Sequence, residues 1–181
     1  MNNENVLTSE LLFAKLKEFE GLRLKAYQDA AGVWTIGYGH THNVRRGDVI
    51  SQFYAEEMLR LDILQCQRQV LRLGVCTTQG QLDALVSFVF NMGIGRLQKS
   101  TLLGCISQHQ PQGVIREQFL RWVYGGGRRL PGLVKRRTWE CQRFFEEGTP
   151  LVVFLNNFDK FLPPKGRSEQ ARSTAVGGLG K

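Results

Sequence analysis

The stretch Leu82 to Phe90, LDALVSFVF, is apolar almost all round. A helix with no continuous polar face has to be enclosed by other elements, so this segment is expected to run through the middle of the molecule. Thr78 and Gln81 precede it with the spacing of a capping box, which satisfies the first free N–H groups of a helix. Asn91, Met92 and Gly93 close it, Asn91 as either a C-terminal cap or a cleft residue.

Around this centre the spacing of apolar residues predicts further helices. One runs over about 9–20, with Thr8 or Ser9 as N-cap and Gly21 as its stop. A long one runs over 51–73, capped by Ser51, with Gly74 just past its end. Others fall at 100–109, 112–124 and 131–147, the last with Pro131 at its first position and Gly148 beyond it. Residues 22–42 differ: they are rich in Gly, Thr, Tyr, Val, Ile and Trp, with a turn-forming run at 29–32, and read as a short antiparallel sheet. It is the only convincing β segment.

The 181 residues are 42% apolar and 22% charged, as in globular proteins. A chain of this length buries roughly 70% of its unfolded surface and needs neither disulfide nor metal to hold a core. Cys66, Cys76, Cys105 and Cys141 are scattered without a CxxC pair, which argues against zinc and leaves disulfide pairing open. No apolar run approaches the roughly 18 residues of a membrane span, and the N-terminus lacks the features of a signal peptide. The expectation is a chain made in the cytoplasm that does not cross a membrane by itself. From Thr149 the character changes: a small apolar cluster is followed by Pro163, Pro164 and a Ser, Gly, Arg-rich stretch. Residues 1–148 are read as one domain and 149–181 as an extension, disordered from about 163.

Lys and Arg number 24 against 16 Asp and Glu, a net charge of +8 spread along the chain. That balance draws a protein to polyanions: nucleic acid, anionic lipid or bacterial wall polymer. No helix-turn-helix, RNP or zinc signature accompanies it, so charge alone supports a nucleic-acid partner.

Glu20 ends the first helix, Asp29 lies nine residues on in the turn of the sheet, and Thr35 follows on the next strand. Cleavage of a glycosidic bond needs one carboxylic acid to protonate the leaving oxygen, and one carboxylate to assist water or stabilise an oxocarbenium-like transition state. Glu20 and Asp29 supply such a pair. On spacing alone they read equally as solvated surface charges, and Thr35 as an ordinary strand residue.

The whole string decides between these readings. Residues 20–41, EGLRLKAYQDAAGVWTIGYGHT, closely resemble the signature of the phage-type lysozymes, glycoside hydrolase family 24, through Glu20, Gly21, Tyr27, Asp29, Gly32, Thr35, Ile36, Gly37, Gly39 and His40. QLDALVSFVFNMG (81–93) resembles the buried central helix of that family and RWVYGGGRRLPGLVKRR (121–137) its far-lobe segment, so the resemblance covers about residues 10–147. It implies Glu20 as general acid, Asp29 as the group that positions water and stabilises positive charge, and Thr35 as a hydrogen-bond partner of that water. It also implies inversion at the anomeric carbon, which needs the carboxyls about 6.5–9.5 Å apart. An acid working near neutral pH keeps its proton through burial or a neighbouring negative charge.

His40 and His42 form an H-x-H pair, too few ligands for a metal site. The resemblance makes His40 instead a structural residue holding the hairpin beside Glu20. With it, Tyr27, Asn91, Arg128, Arg129 and Arg137 are candidates for binding substrate or supporting the site. Arg128, Arg129, Lys135, Arg136 and Arg137 are the densest basic segment, read singly as a solvated helix face and together as an attraction for wall carboxylates. Trp122, Tyr124 and Trp139 read as core aromatics.

The expected fold is α+β and mainly α, lysozyme-like and two-lobed: a small N-terminal lobe with a hairpin or three-stranded sheet, a long connecting helix, a helical C-terminal lobe and a cleft between the lobes. The expected substrate is peptidoglycan, cut between N-acetylmuramic acid and N-acetylglucosamine by a monomer with no cofactor or metal. Delivery is expected through holin-made lesions to wall in the periplasm, or by a secretion machine that uses the extension. A lytic transglycosylase, a non-catalytic wall-binding relative and a nucleic-acid-binding protein are the rival readings; Asp29 and Thr35 argue against the first.

Overall fold

Helix α3 (Gln79–Met92) occupies the centre of this computed structural model, which describes residues 9–148 together with 150 and 151. Leu82, Ala84, Leu85, Val86 and Phe88 are fully buried, and so are its polar residues Asp83 and Ser87. Thr78 Oγ1 accepts from the Gln81 N–H at 3.2 Å. The return arm of the cap is displaced by one residue: Gln81 Oε1 accepts from the N–H and the hydroxyl of Thr77, at 2.7 and 3.0 Å. Pro150 bridges Thr78, and the Leu151 N–H donates to the Thr77 carbonyl at 2.8 Å, which anchors the end of the described chain beside this cap. The expectations for residues 152–181 lie outside the described residues.

Ahead of α3 come α1 (Glu10–Glu20), the antiparallel pair β1 (Arg23–Gln28) and β2 (Trp34–Gly37), and the long α2 (Gln52–Leu71). Ser9 Oγ accepts from the Leu12 N–H at 3.0 Å and Ser51 Oγ from the Tyr54 N–H at 3.2 Å, so both helices start on hydroxyl caps. Tyr27 stands opposite Thr35 and Gln28 opposite Trp34 in the hairpin. A single bridge from Lys25 to Val49 adds to it, so the sheet has two strands and one bridge, not three full strands.

After α3 follow α4 (Ile94–Gln98), α5 (Thr101–Ser107), α6 (Gln112–Leu120), the short strands β3 (Tyr124–Gly125) and β4 (Arg128–Arg129), and α7 (Pro131–Phe145). Helix α4 was not expected from the sequence. The helix expected over 112–124 stops at Leu120, because Tyr124 and Gly125 pair with Arg129 and Arg128 across a two-residue turn. Gly126 and Gly127 make that turn with φ of +57° and +75°, the backbone a tight hairpin requires. A second β element is therefore present where the sequence read only a spacer. Tyr124 is correspondingly exposed, contrary to its reading as a core aromatic. Trp122 packs edge-on against Phe88 at 5.2 Å and Trp139 against Phe19 at 5.9 Å, as core aromatics do.

Helix α7 departs most from expectation. Its Arg136, Arg137 and Glu140 are buried, not a solvated face, and they lie along α3. One turn on, Arg143 donates from Nε and Nη2 to Asp83 Oδ2 at 3.0 and 2.8 Å; Asp83 also accepts from the Ser9 hydroxyl at 2.6 Å. Asp83 thereby ties the start of α1 to α3 and α7. All four cysteines are free thiols, and burial pushes Cys66 up to about 11, Cys76 up to about 12, and Cys141 upward.

At the exposed junction of α1 and α7, Glu18 takes hydrogen bonds from Lys135 and Lys15, which hold its carboxyl down to about 2. A carboxyl held below its ordinary 4.5 stabilises the folded form above that value and ceases to do so as pH falls towards 2. Lys135→Ala should therefore melt slightly below wild type at neutral pH and low ionic strength, with the gap closing on acidification and in salt. A gap independent of pH in scanning calorimetry would show that Lys135 stabilises by other means.

Candidate active site

Glu20 is the last residue of α1, and Gly21, with φ of +68°, turns the chain out of the helix directly into β1. The side chain is about one-fifth exposed. Its Oε1 accepts from Arg136 Nη1 at 2.6 Å. Its other oxygen, Oε2, faces Gly39 at the end of the hairpin, 3.6 Å from where a Cβ would stand. Gly39 has φ of +90°, so glycine there serves both the backbone and the space in front of the carboxyl. The charged group in contact with Glu20 is thus a guanidinium; of the two means expected for keeping an acid protonated, burial or a neighbouring negative charge, this contact does not supply the second.

Asp29 sits at the exposed turn between β1 and β2. Its Oδ1 accepts from the N–H groups of Ala31 and Val33, both at 2.9 Å, and its backbone N–H donates to the Val33 carbonyl at 3.0 Å. The carboxylate therefore builds the turn that carries it, and Oδ2 is left without a protein partner among the described residues. Thr35, on β2, is buried, and its hydroxyl donates to the Val33 carbonyl at 3.0 Å. Its proton is committed, so toward any further group this oxygen acts as an acceptor. Tyr27, opposite Thr35, is partly exposed, with the Arg23 guanidinium over its ring at 5.4 Å.

His40 closes a tight turn in which its backbone N–H and carbonyl exchange hydrogen bonds with Ile36 at 3.0 and 2.9 Å. Its Nδ1 lies 2.8 Å from Asp62 Oδ2 on α2, and Nε2 lies 3.1 Å from the His42 carbonyl. The side chain of His40 thus links the hairpin to α2 through Asp62, a partner the sequence reading missed. Among the described residues no group of three or more His, Cys, Asp or Glu could hold a metal ion.

The basic segment does not act as one patch. Arg128 and Arg129 are exposed on β4, and Lys135 is occupied by Glu18. Arg136 and Arg137 turn inward. Arg136 Nη2 donates to the Ser87 carbonyl at 2.9 Å, and its Nε lies 3.3 Å from Ser87 Oγ and 3.4 Å from Glu140 Oε1. Glu140 also accepts from the Ser87 hydroxyl at 2.7 Å and, through Oε2, from Arg137 Nη1 at 2.6 Å. Arg137 Nη2 donates to Asn91 Oδ1, which places Asn91 in this network, and its guanidinium lies 4.6 Å from the Phe88 ring centre. Among the described residues, Arg137 Nε is buried without a hydrogen-bond partner. Burial pushes the Glu140 carboxyl up against the pull of both guanidiniums, and pushes Arg137 down. Fully buried, Arg137 and Glu140 cannot touch a substrate; they can act only through neighbours.

A pocket of about 730 Å³ between α4, α5 and α6 is lined by Met92, Arg96, Lys99, Arg121 and Trp122 among others; Glu20, Asp29 and Thr35 do not line it.

Residues 17–140 match the sequence model of the family described as Phage lysozyme. The chain is 47% identical over 141 residues to an endolysin of Acyrthosiphon pisum secondary endosymbiont phage 1, covering 75% of this chain and 96% of that protein. It is 37% identical over 126 residues to a SAR-endolysin of bacteriophage PS119, covering 67% of this chain and 73% of that one. Among solved structures it is similar to the muramidase domain of SpmX from Asticaccaulis excentricus, with a TM-score of 0.70, 34% identity and coverage of 77% and 97%. An endolysin from Escherichia coli O157:H7 phage FAHEc1 aligns with a TM-score of 0.68, 32% identity and coverage of 81% and 97%.

If the bond between His40 and Asp62 fixes the hairpin on α2, a double-mutant cycle of His40→Ala and Asp62→Ala in chemical denaturation should return a coupling of about 1 kcal/mol. Additive losses would mean that the contact does not carry the tether.

Proposed function

This chain belongs to the phage lysozyme family, and from that membership we propose that it is a muramidase of the endolysin kind. It hydrolyses the β-1,4 bond between N-acetylmuramic acid and N-acetylglucosamine in peptidoglycan and so lyses the bacterial cell. The observation that carries the assignment of its chemistry is the Glu20 carboxyl: one oxygen is tied to Arg136, and the other faces Gly39 without a side chain in front of it.

In this reading Glu20 delivers a proton to the glycosidic oxygen through Oε2. Asp29 presents Oδ2 to the attacking water or to the developing positive charge, since Oδ1 is used by its own turn. Thr35 accepts a hydrogen bond from that water, its own proton being held by the Val33 carbonyl. Attack from the face opposite the leaving group inverts the anomeric centre. His40 and Asp62 hold the hairpin that carries Asp29 and Thr35, and Tyr27, Arg128 and Arg129 supply exposed groups for the glycan and its peptides. The domain carrying this chemistry ends near residue 148, and the extension serves delivery or attachment.

Among the described residues no helix is long and apolar enough to cross a membrane. We infer that the chain works as a monomer, is made in the host cytoplasm and reaches the periplasmic wall through holin-made lesions. Delivery by a secretion machine is the alternative. Neither route requires specific binding to nucleic acid.

Glu20→Gln should lower lysis of permeabilised Gram-negative cells by about 10²–10⁴-fold, in turbidity assays well below its melting temperature. Asp29→Asn keeps an oxygen for the turn and removes the charge, and should cost on the order of 10²-fold. A Glu20→Gln variant that lyses as fast as wild type removes the acid assignment. NMR of the first product should show inverted configuration at the new reducing end; retention would replace the water step by attack from a carboxylate.

A further inference from the structure

Glu20 is held by a guanidinium whose position is set by the interior of the protein. Arg136 is almost fully buried, and each of its three nitrogens has an oxygen partner: Nη1 the Glu20 carboxyl, Nη2 the Ser87 carbonyl, Nε the Ser87 hydroxyl and Glu140. The Phe19 ring lies 5.2 Å from its central carbon. The next residue, Arg137, is also buried. Two guanidiniums on consecutive residues repel one another strongly in a medium of low dielectric, and each would be displaced without a charge of opposite sign between them. Glu140 is that charge. It takes Arg137 on Oε2 and leans Oε1 toward Arg136 and Ser87, so that one carboxylate stands between the two guanidiniums.

We propose that Glu140, with Ser87, is a positioning group for the hydrolytic reaction: it fixes the Arg136 guanidinium so that Glu20 is clamped through Oε1 alone and its Oε2 stays aimed at the glycosidic oxygen. The inference rests on the reading of Glu20 as the acid. Glu140 is fully buried and touches no substrate; its effect passes through one side chain. Arg137 Nε already stands without a hydrogen-bond partner among the described residues, so loss of the carboxylate would leave further buried donors short of an acceptor where they now stand. Without Glu140, Arg136 is free to take both Glu20 oxygens in a two-pronged pair, the arrangement that arginine and carboxylate favour when unconstrained. That arrangement turns the proton-donating oxygen away from the substrate, with no change in how the sugar binds.

The test separates kcat from KM. Kinetics on soluble peptidoglycan fragments would compare wild type, Glu140→Gln, Ser87→Ala, Glu20→Gln and the core variant Ile115→Ala, which lies outside the network. All are assayed at a temperature where circular dichroism shows each folded. Glu140→Gln should lower kcat on the order of tenfold to a hundredfold, with KM changed less than about twofold, the signature of a misplaced reacting group. Ser87→Ala should lower kcat by a smaller factor with the same constancy of KM, and it carries the test if Glu140→Gln does not fold. Ile115→Ala should keep wild-type kcat once folded. If Glu20→Gln is inactive while the network variants keep kcat, or lose activity only in proportion to their unfolded fraction, the positioning role is overturned and the acid assignment stands. If Glu20→Gln keeps its activity, the acid assignment falls and the positioning role falls with it.

Discussion

The middle of α3 is enclosed on every side and has no surface on which to leave a polar group, yet it carries two fully buried ones, Asp83 and Ser87, one turn apart. Both must find partners within the protein, because an unpaired polar group in the interior costs on the order of 1–3 kcal/mol. The partners come from α7, where Arg136, Glu140 and Arg143 recur at the same helical spacing and meet Ser87 and Asp83 in turn. Much of the rest follows. The pairing sets the register of α7 on α3, draws in the start of α1 through Ser9, and leaves one guanidinium at the edge where α1 ends. The candidate acid lies at that edge.

The parts of the fold legible in the sequence were those written as local patterns. The caps at Ser9, Ser51 and Thr78, the stop at Gly21 and the apolar run of α3 each depend on residues within a few positions of one another. What escaped depends on pairing at a distance or on context. Tyr124 to Arg129 contains a hairpin because two consecutive glycines adopt positive φ, and a run of three glycines reads as easily as a spacer. Arg136, Arg137 and Glu140 look like an exposed charged face because nothing nearby in the chain announces Ser87 or Glu20 as partners. Their spacing still held a usable signal: Glu140 stands three and four residues after the two arginines, the separation at which helical side chains meet. The same holds for the candidate site: Glu20, Asp29 and Thr35 stand in the sequence as an ordered string, whereas nothing local points to Asp62, 22 residues from His40.

The hairpin shows how one side chain serves two ends. The Asp29 carboxylate closes its own turn with one oxygen, and the turn in turn fixes where the second oxygen stands. Thr35 is arranged likewise, its proton anchored to the Val33 carbonyl and its lone pairs left over. Val33 is common to both, accepting from Asp29 and Thr35 and donating to Asp29, so these two side chains share a single backbone reference point. Relative placement at such a site depends on few torsions, and that is what a reaction sensitive to small displacements requires.

The thiols of this chain have a separate consequence. With Cys66 pushed up to about 11, only about one molecule in ten thousand carries it as thiolate at neutral pH, and Cys76 is lower still. Thiol exchange proceeds through the thiolate, so these sulfurs are poor substrates for oxidants and for mixed-disulfide formation. Transfer between a reducing and an oxidising environment would therefore meet, at these two positions, thiols slow to form new sulfur bonds.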